Sequence, residues 1–298
     1  MTTDTQASYS TYQVPTNHAP VFLAHYLKKE LGISVTLYKK IKNKSKFWLN
    51  GQLMEHIADL QLNPGDVITW ELLQKKIPAE PLPLNVCYED NEILIVNKPV
   101  GQLVHPLTTE PSGTLINAVS YYYEKRGIAA SISPVQRLDR QTSGLVVLGK
   151  TPQTANFLQS VGHKYFWREY LAVCEGVPNP LRGTVFAPIA RVPDSMILRK
   201  VDPSGKSAVT HYRVLRTNGA FSLLSLRLST GRTHQIRVHM ASIGHPLAGD
   251  ELYGGSRDFI GRQALHAAKV ILPHPLTREK LTVKADLPRD MQKLIGIL

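Results

Sequence analysis

Cysteine is nearly absent: the chain carries two, Cys87 and Cys174, far apart and neither in a Cys-x-x-Cys pair. That excludes a disulfide framework and a cysteine-built zinc site, and it suits a reducing compartment. No apolar run approaches the roughly 18 residues that a membrane-spanning helix needs, so no membrane contact is expected. Residues 1–17 are polar and lack a basic stretch followed by an apolar one, so a secretory leader is not expected and the cytoplasm is. Acids are scarce, 23 against 35 lysines and arginines, which leaves a formal net charge of +12 and a pI of about 9.6. A field of that sign draws polyanions, and nucleic acid is the commonest of these. Apolar residues are plentiful, 43% of 298, enough for one medium domain and a small one.

Residues 1–17 read as a disordered tail, 18–74 as a small unit and 75–83 as a linker kept extended by Pro78, Pro81 and Pro83. In the small unit Phe22, Leu23, Tyr26, Leu27 and Leu31 recur at helical spacing, and Gly32 ends that helix. Ser34 is placed to cap a second helix carrying Val35, Leu37, Tyr38 and Ile41. Phe47 to Leu49 reads as a strand entering an Asn50-Gly51 hairpin turn, and Pro64-Gly65-Asp66 as a turn before a strand from Val67. From Lys28 to Lys46 there are seven lysines and one acid, Glu30. Such a run is usually a solvated helix face. Beside a helix pair and a hairpin it favours phosphate contact, through Lys39, Lys40 and Lys42 among others.

Residues 84–298 mix strands and helices without a βα repeat, which predicts an α+β domain around one large sheet. Strands are expected at Glu92–Asn97, Gly144–Gly149, Glu169–Val173, Ser222–Leu228 and Leu281–Ala285. Helices are expected at Thr114–Lys125, Thr233–Ile243 and Arg289–Ile297, with another after the Thr151-Pro152 start signal.

Four clusters carry chemistry. Asp139 lies between Arg137 and Arg140 in a polar loop just before an apolar strand, where a scaffold can hold an accessible group. A carboxylate flanked by guanidinium groups can serve as nucleophile or base. Taken alone, the same triplet is more often a salt bridge pinning a loop. The second cluster is Gly231 to Met240, in which a helix would place Thr233 and Arg237 on one face and Arg232 at its start. His234 there reads as a packed histidine, and five residues to His239 is the wrong spacing for a shared metal. In the third, Lys98-Pro99-Val100-Gly101, a cation sits on a tight turn. The fourth sets Tyr170 in a strand, as a core tyrosine or one that stacks on a base.

In this order the clusters resemble the RluA-type family of RNA pseudouridine synthases, over nearly everything from Leu84 onward. The resemblance rests on Asn97-Lys98-Pro99-Val100-Gly101 with His105-Pro106, on Arg137-Leu138-Asp139-Arg140-Gln141-Thr142-Ser143-Gly144, and on Tyr170 with Gly176. It continues through Gly231 to His239, His245-Pro246, Gly249-Asp250, Tyr253-Gly254, Leu265-His266-Ala267 and His274-Pro275. Two positions depart from the pattern: Gln136 stands where a histidine is usual, and Glu169 where a lysine-like residue is usual. The small unit is similar to the S4 RNA-binding domain.

The resemblance implies a pseudouridine synthase fold, with a large mixed, mainly antiparallel sheet flanked by helices and a small N-terminal α/β S4-like domain. It implies isomerisation of uridine in RNA without metal or cofactor. Asp139 would be the nucleophile, Arg237 its pairing arginine and Tyr170 the tyrosine that stacks on the target base and helps to remove its C5 proton. Arg137 would fill the gap left by the flipped base, and Lys98, Arg140 and Arg232 would bind RNA. Large-subunit ribosomal RNA is the expected partner, with transfer RNA as the alternative, and a monomer is the default. A non-catalytic RNA-binding or ribosome-assembly protein and a base-releasing glycosylase are the competing classes.

Overall fold

Alternating apolar residues set the frame of the larger domain. In the strand Ile93–Lys98, Leu94 and Val96 enter one core, while Ile93 and Ile95 enter another on the opposite face. The strand Ser143–Gly149 does the same with Val146 and Leu148 against Leu145 and Val147. Both faces are covered, which is why this stretch reads as a continuous apolar run. The helix Leu115–Arg126 closes the first face through Leu115, Ile116, Val119 and Tyr123. The helix Pro152–Ser160 closes the second through Ala155 and Leu158, and Thr151 Oγ1 caps it by accepting the Thr154 N–H.

The computed structural model describes residues 5–33, 35–75 and 77–298. Among them, ten strands form one sheet. From one edge the order is Arg182–Phe186, Val209–Thr217, Phe221–Leu228, Trp167–Glu175, Leu265–Pro273, Ser143–Gly149, Ile93–Lys98 and Val86–Glu89. Lys280–Lys284 adds to Leu265–Pro273, and Ser133–Pro134 to Ser143–Gly149. Every pairing is antiparallel except Ser143–Gly149 with Leu265–Pro273, which touch over two residue pairs. The sheet is therefore mixed and mainly antiparallel. No helix among the described residues is long and apolar enough to cross a membrane.

The N-terminal unit has its own core of Leu23, Tyr26, Leu27, Ile41, Phe47, Leu62, Ile68 and Trp70. Its helices are Leu23–His25, continued by Tyr26–Glu30, and Val35–Lys44. The Ser34 cap lies outside the described residues. Phe47–Leu49 turns into Gln52–Met54 through Asn50 and Gly51, whose φ angles of 50° and 81° suit an Asn-Gly pair.

Two expectations change. Residues 1–17 do not all form a disordered tail, because Thr5–Gln13 is a strand paired with Val67–Lys75. Its polarity hid it: it lies at a sheet edge, and Tyr12 stacks flat on Trp70 with centroids 5.3 Å apart. The proline segment after it is held against the larger domain. Ser120 Oγ and Asn117 Nδ2 of the helix Leu115–Arg126 donate to the carbonyls of Ile77 and Pro78, and the Gly113 N–H donates to Glu80.

Candidate active site

Gly144 decides where the site forms. Its φ is +112°, and a Cβ there would lie 2.3 Å from the Ala267 carbonyl oxygen. Only glycine lets the two backbones approach this closely. Ala267 pairs with Gly144 on one side and Tyr170 on the other. The loop before Gly144, which carries Asp139, is thus brought beside Tyr170.

Backbone contacts fix that loop. The Thr142 N–H donates to the Asp139 carbonyl at 3.0 Å, and the Gly101 N–H to that of Arg140 at 3.0 Å. Arg262, buried, donates from Nη1 to the Gln141 carbonyl at 3.1 Å and holds Asp290 of the C-terminal helix Arg289–Gly296 through Nε and Nη2. Gln136, at the position where a histidine is usual, is buried and donates to the Leu145 carbonyl, while its Oε1 has no partner.

Lys98 corrects an expectation. The sequence predicts a phosphate contact, yet the side chain is fully buried, and its Nζ donates to the carbonyls of Pro99, Gln102 and Arg140 at 2.8, 2.8 and 3.1 Å. The hydrogens on Nζ find backbone carbonyls, so the side chain ties down the loop from beneath. Burial pushes its pKa down to about 7, with Asp139 acting against this and Arg262 and Arg140 with it. Arg140 is likewise engaged, its Nη1 and Nη2 both donating to Glu110.

The helix opposite the loop is Gln235–Ser242, shorter than expected. His234 stands before it with φ +58°, so Thr233 is outside the helix and does not share a face with Arg237 as read from the sequence. Arg237 projects into the site and grips Asp250, with Nε to Oδ2 and Nη2 to Oδ1 both at 2.7 Å. Its remaining nitrogen, Nη1, reaches Asp139 Oδ2 at 3.4 Å. Burial opposes the guanidinium's charge, but the bonds and charge of Asp250, with Asp139 adding to them, raise its pKa overall.

His234 proves to be more than a packed residue. Its Nε2 lies 3.9 Å from Asp139 Oδ2, and its Nδ1 lies 2.8 Å from the Tyr253 hydroxyl. That hydroxyl accepts the Arg199 backbone N–H and can donate to Nδ1, which places the ring proton on Nε2, facing Asp139. Burial lowers the imidazole's pKa, Asp139 opposing. Tyr170 is buried, and burial raises its pKa, Arg168 opposing and Asp139 assisting.

Asp139, Arg237 and Tyr170 therefore share one site. Arg137 is exposed beside them, and Arg232 is exposed ahead of the helix with Nε on the Ser207 carbonyl. Lys39, Lys40 and Lys42 lie exposed on Val35–Lys44, in the N-terminal unit. Asp250, Tyr253 and His234 were not singled out from the sequence as site residues. Gly249-Asp250 and Tyr253-Gly254 were legible as motif pieces, but spacing does not show that Asp250 is the arginine's main partner.

Comparison with known proteins identifies the family. The sequence model of the family described as RNA pseudouridylate synthase matches residues 92–242. YjbO of Bacillus subtilis, called an uncharacterized RNA pseudouridine synthase, is 42% identical over 273 residues, 89% of this chain and 95% of that one. Ribosomal large subunit pseudouridine synthase D of Haemophilus influenzae is 42% identical over 240 residues, 76% of this chain and 74% of that one. Among solved structures, human RNA pseudouridylate synthase domain containing 4 aligns with a TM-score of 0.58 at 25% identity, over 71% of this chain and 92% of that one. Sequence, fold and relatives agree: the chain belongs to the RNA pseudouridylate synthase family and is an RNA pseudouridine synthase.

Proposed function

We propose that the chain converts uridines of large-subunit ribosomal RNA to pseudouridine, with Asp139 as nucleophile. One observation carries the assignment of Asp139. Two carboxylates share Arg237, and only one is available: Asp250 is buried and doubly bonded, whereas Asp139 is 27% exposed and held by longer contacts, 3.4 Å to Arg237 and 3.9 Å to His234. The ribosomal substrate is favoured by the relatives named for the large subunit.

The target uridine must leave its stack to reach Asp139. The carboxylate attacks C1′ of the ribose, expelling the uracil, or C6 of the base, after which the glycosidic bond breaks. The uracil turns and C5 bonds to C1′. The bond to Asp139 breaks so that the carboxylate is restored, C5 loses its proton and N1 gains one. Arg237 Nη1 and His234 Nε2–H would orient the carboxylate, and Tyr170 would stack on the base. Burial raises the tyrosine's pKa, and the same ring would lie beside the C5 proton that leaves. Arg137 would fill the vacated stack. Arg232 and the helix bearing Lys39, Lys40 and Lys42 would hold phosphates, the latter as part of an S4-like unit.

Tritium release from C5-labelled uridine in large-subunit ribosomal RNA tests the reading. Wild type should release it, and Asp139→Asn should not, while RNA affinity stays within a few-fold. Full activity in that variant overturns the assignment, and free uracil as product would mark a glycosylase. Unchanged ribosomal pseudouridines in a strain lacking the protein would remove the proposed substrate.

A further inference from the structure

Successive residues of a strand point to opposite faces. Tyr170 faces the Asp139 side, so Trp167 and Glu169 of the same strand face away from it. The cross-strand register extends this reverse face over six strands. Thr184 lies opposite His211, His211 opposite Arg227, Arg227 opposite Glu169, Glu169 opposite Lys269, and Lys269 opposite Lys284. Five steps of about 4.8 Å make a row roughly 24 Å long. Beside it Arg182 lies opposite Arg213, and Arg213 opposite Ser225. An open groove of about 370 Å³ runs along these residues, with Trp167 in its wall.

Charge, pairing and shape all mark this face as a ligand surface. Arg182, Arg213, Arg227, Lys269 and Lys284 face one acid, Glu169, which is already engaged by Lys269 at 3.0 Å and Ser225 at 3.1 Å. Two of the opposed pairs, Arg182 with Arg213 and Lys269 with Lys284, carry like charge, an arrangement that destabilises a sheet. A bridging anion removes that repulsion. Trp167 is 41% exposed, and the Arg227 guanidinium lies 4.7 Å from its ring centroid. An aromatic plane beside a guanidinium suits an unpaired base.

We infer that this reverse face is a second RNA-binding surface, which takes the phosphate backbone of a stretch of RNA lying outside the target loop. Evenly spaced cations match a polymer of phosphates, and guanidinium forks bind phosphate bidentately. The identity of the polyanion as RNA rests on the enzymatic reading above, and the surface itself does not.

The test is the variant Arg182→Gln/Arg213→Gln/Lys284→Gln, three exposed positions away from Asp139. Its melting temperature should equal or exceed that of wild type, since both like-charge pairs are gone. Binding of a ribosomal RNA transcript should weaken roughly ten-fold at about 0.1 M salt, and the slope of log affinity against log salt should flatten by about 2. Turnover at saturating RNA should be unchanged. An unaltered slope in the folded variant overturns the inference, as does loss of polyglutamate binding with RNA binding intact, which would indicate an acidic protein. If the variant fails to fold, ultraviolet crosslinking of wild type to oligouridylate decides: the peptide containing Trp167 should carry the crosslink, and its absence overturns the inference. A wild type that releases no tritium would overturn the enzymatic reading while the salt slopes still judged the surface.

Discussion

Arg237 serves two acids, and the structure assigns them different consequences when removed. Asp250 is 1% exposed and bonded twice at 2.7 Å to a guanidinium that is itself 7% exposed. Asp250→Ala leaves that cation buried without its partner, which costs about 3–5 kcal/mol. At about 2–4 °C per kcal/mol for a domain of this size, its melting temperature should fall by roughly 6–20 °C. Asp139→Ala removes a 3.4 Å contact to Arg237 and a 3.9 Å one to His234 from a partly exposed carboxylate, worth about 0–1 kcal/mol, so its melting temperature should move by less than roughly 4 °C. Turnover should rank them the other way, with Asp139→Ala inactive. Calorimetry beside tritium release makes the comparison. The reasoning is refuted if Asp139→Ala destabilises the protein as much as Asp250→Ala, or if it retains turnover.

Lys98 gives a pH signature. Its folded pKa of about 7 lies below the ordinary lysine value of 10.5, so its contribution to stability is full above 10.5 and is lost as pH falls to about 7. Urea midpoints at pH 6 and pH 9 should therefore show wild type gaining stability relative to Lys98→Met as pH rises, and no relative gain would contradict the burial argument. Gly144→Ala forces a Cβ into the Ala267 carbonyl and should cost several kcal/mol, seen as loss of soluble protein; normal folding would show that the strands can part cheaply. Asp290→Ala leaves the buried Arg262 underbonded, for about 1–3 kcal/mol, and should lower kcat more than it raises KM because Arg262 also holds the Asp139 loop. A change confined to KM would break that link.

Periodicity revealed the strands and helices whose apolar faces are buried, such as Ser143–Gly149 and Leu115–Arg126. It did not reveal Thr5–Gln13, because an edge strand of threonine, serine and tyrosine carries no apolar alternation. Within the site, Asp139, Arg237 and Tyr170 could be read together only through the order of their motifs along the chain, since singly the Asp139 triplet reads as a loop salt bridge and Tyr170 as a core residue. Lys98 was legible as important and misread in role: sequence gives a lysine's charge but not the direction of its side chain, and here three carbonyls draw it inward. The hold of Asp250 on Arg237 is a contact across thirteen residues, and the turn that makes it possible shows no periodic signal.

The docked proline segment has a mechanical consequence. The strand Val67–Lys75 ends two positions before Ile77, whose carbonyl is already held by Ser120. Little free tether separates the unit bearing Lys39, Lys40 and Lys42 from the domain bearing Asp139, in contrast to a flexible linker whose ends wander with the square root of its length. If that helix grips RNA as proposed, the two grips work as a caliper. The enzyme would choose its uridine by how far the base lies from a second RNA feature, and lengthening the segment between Lys75 and Ile77 would shift which uridine is modified before it changed how fast.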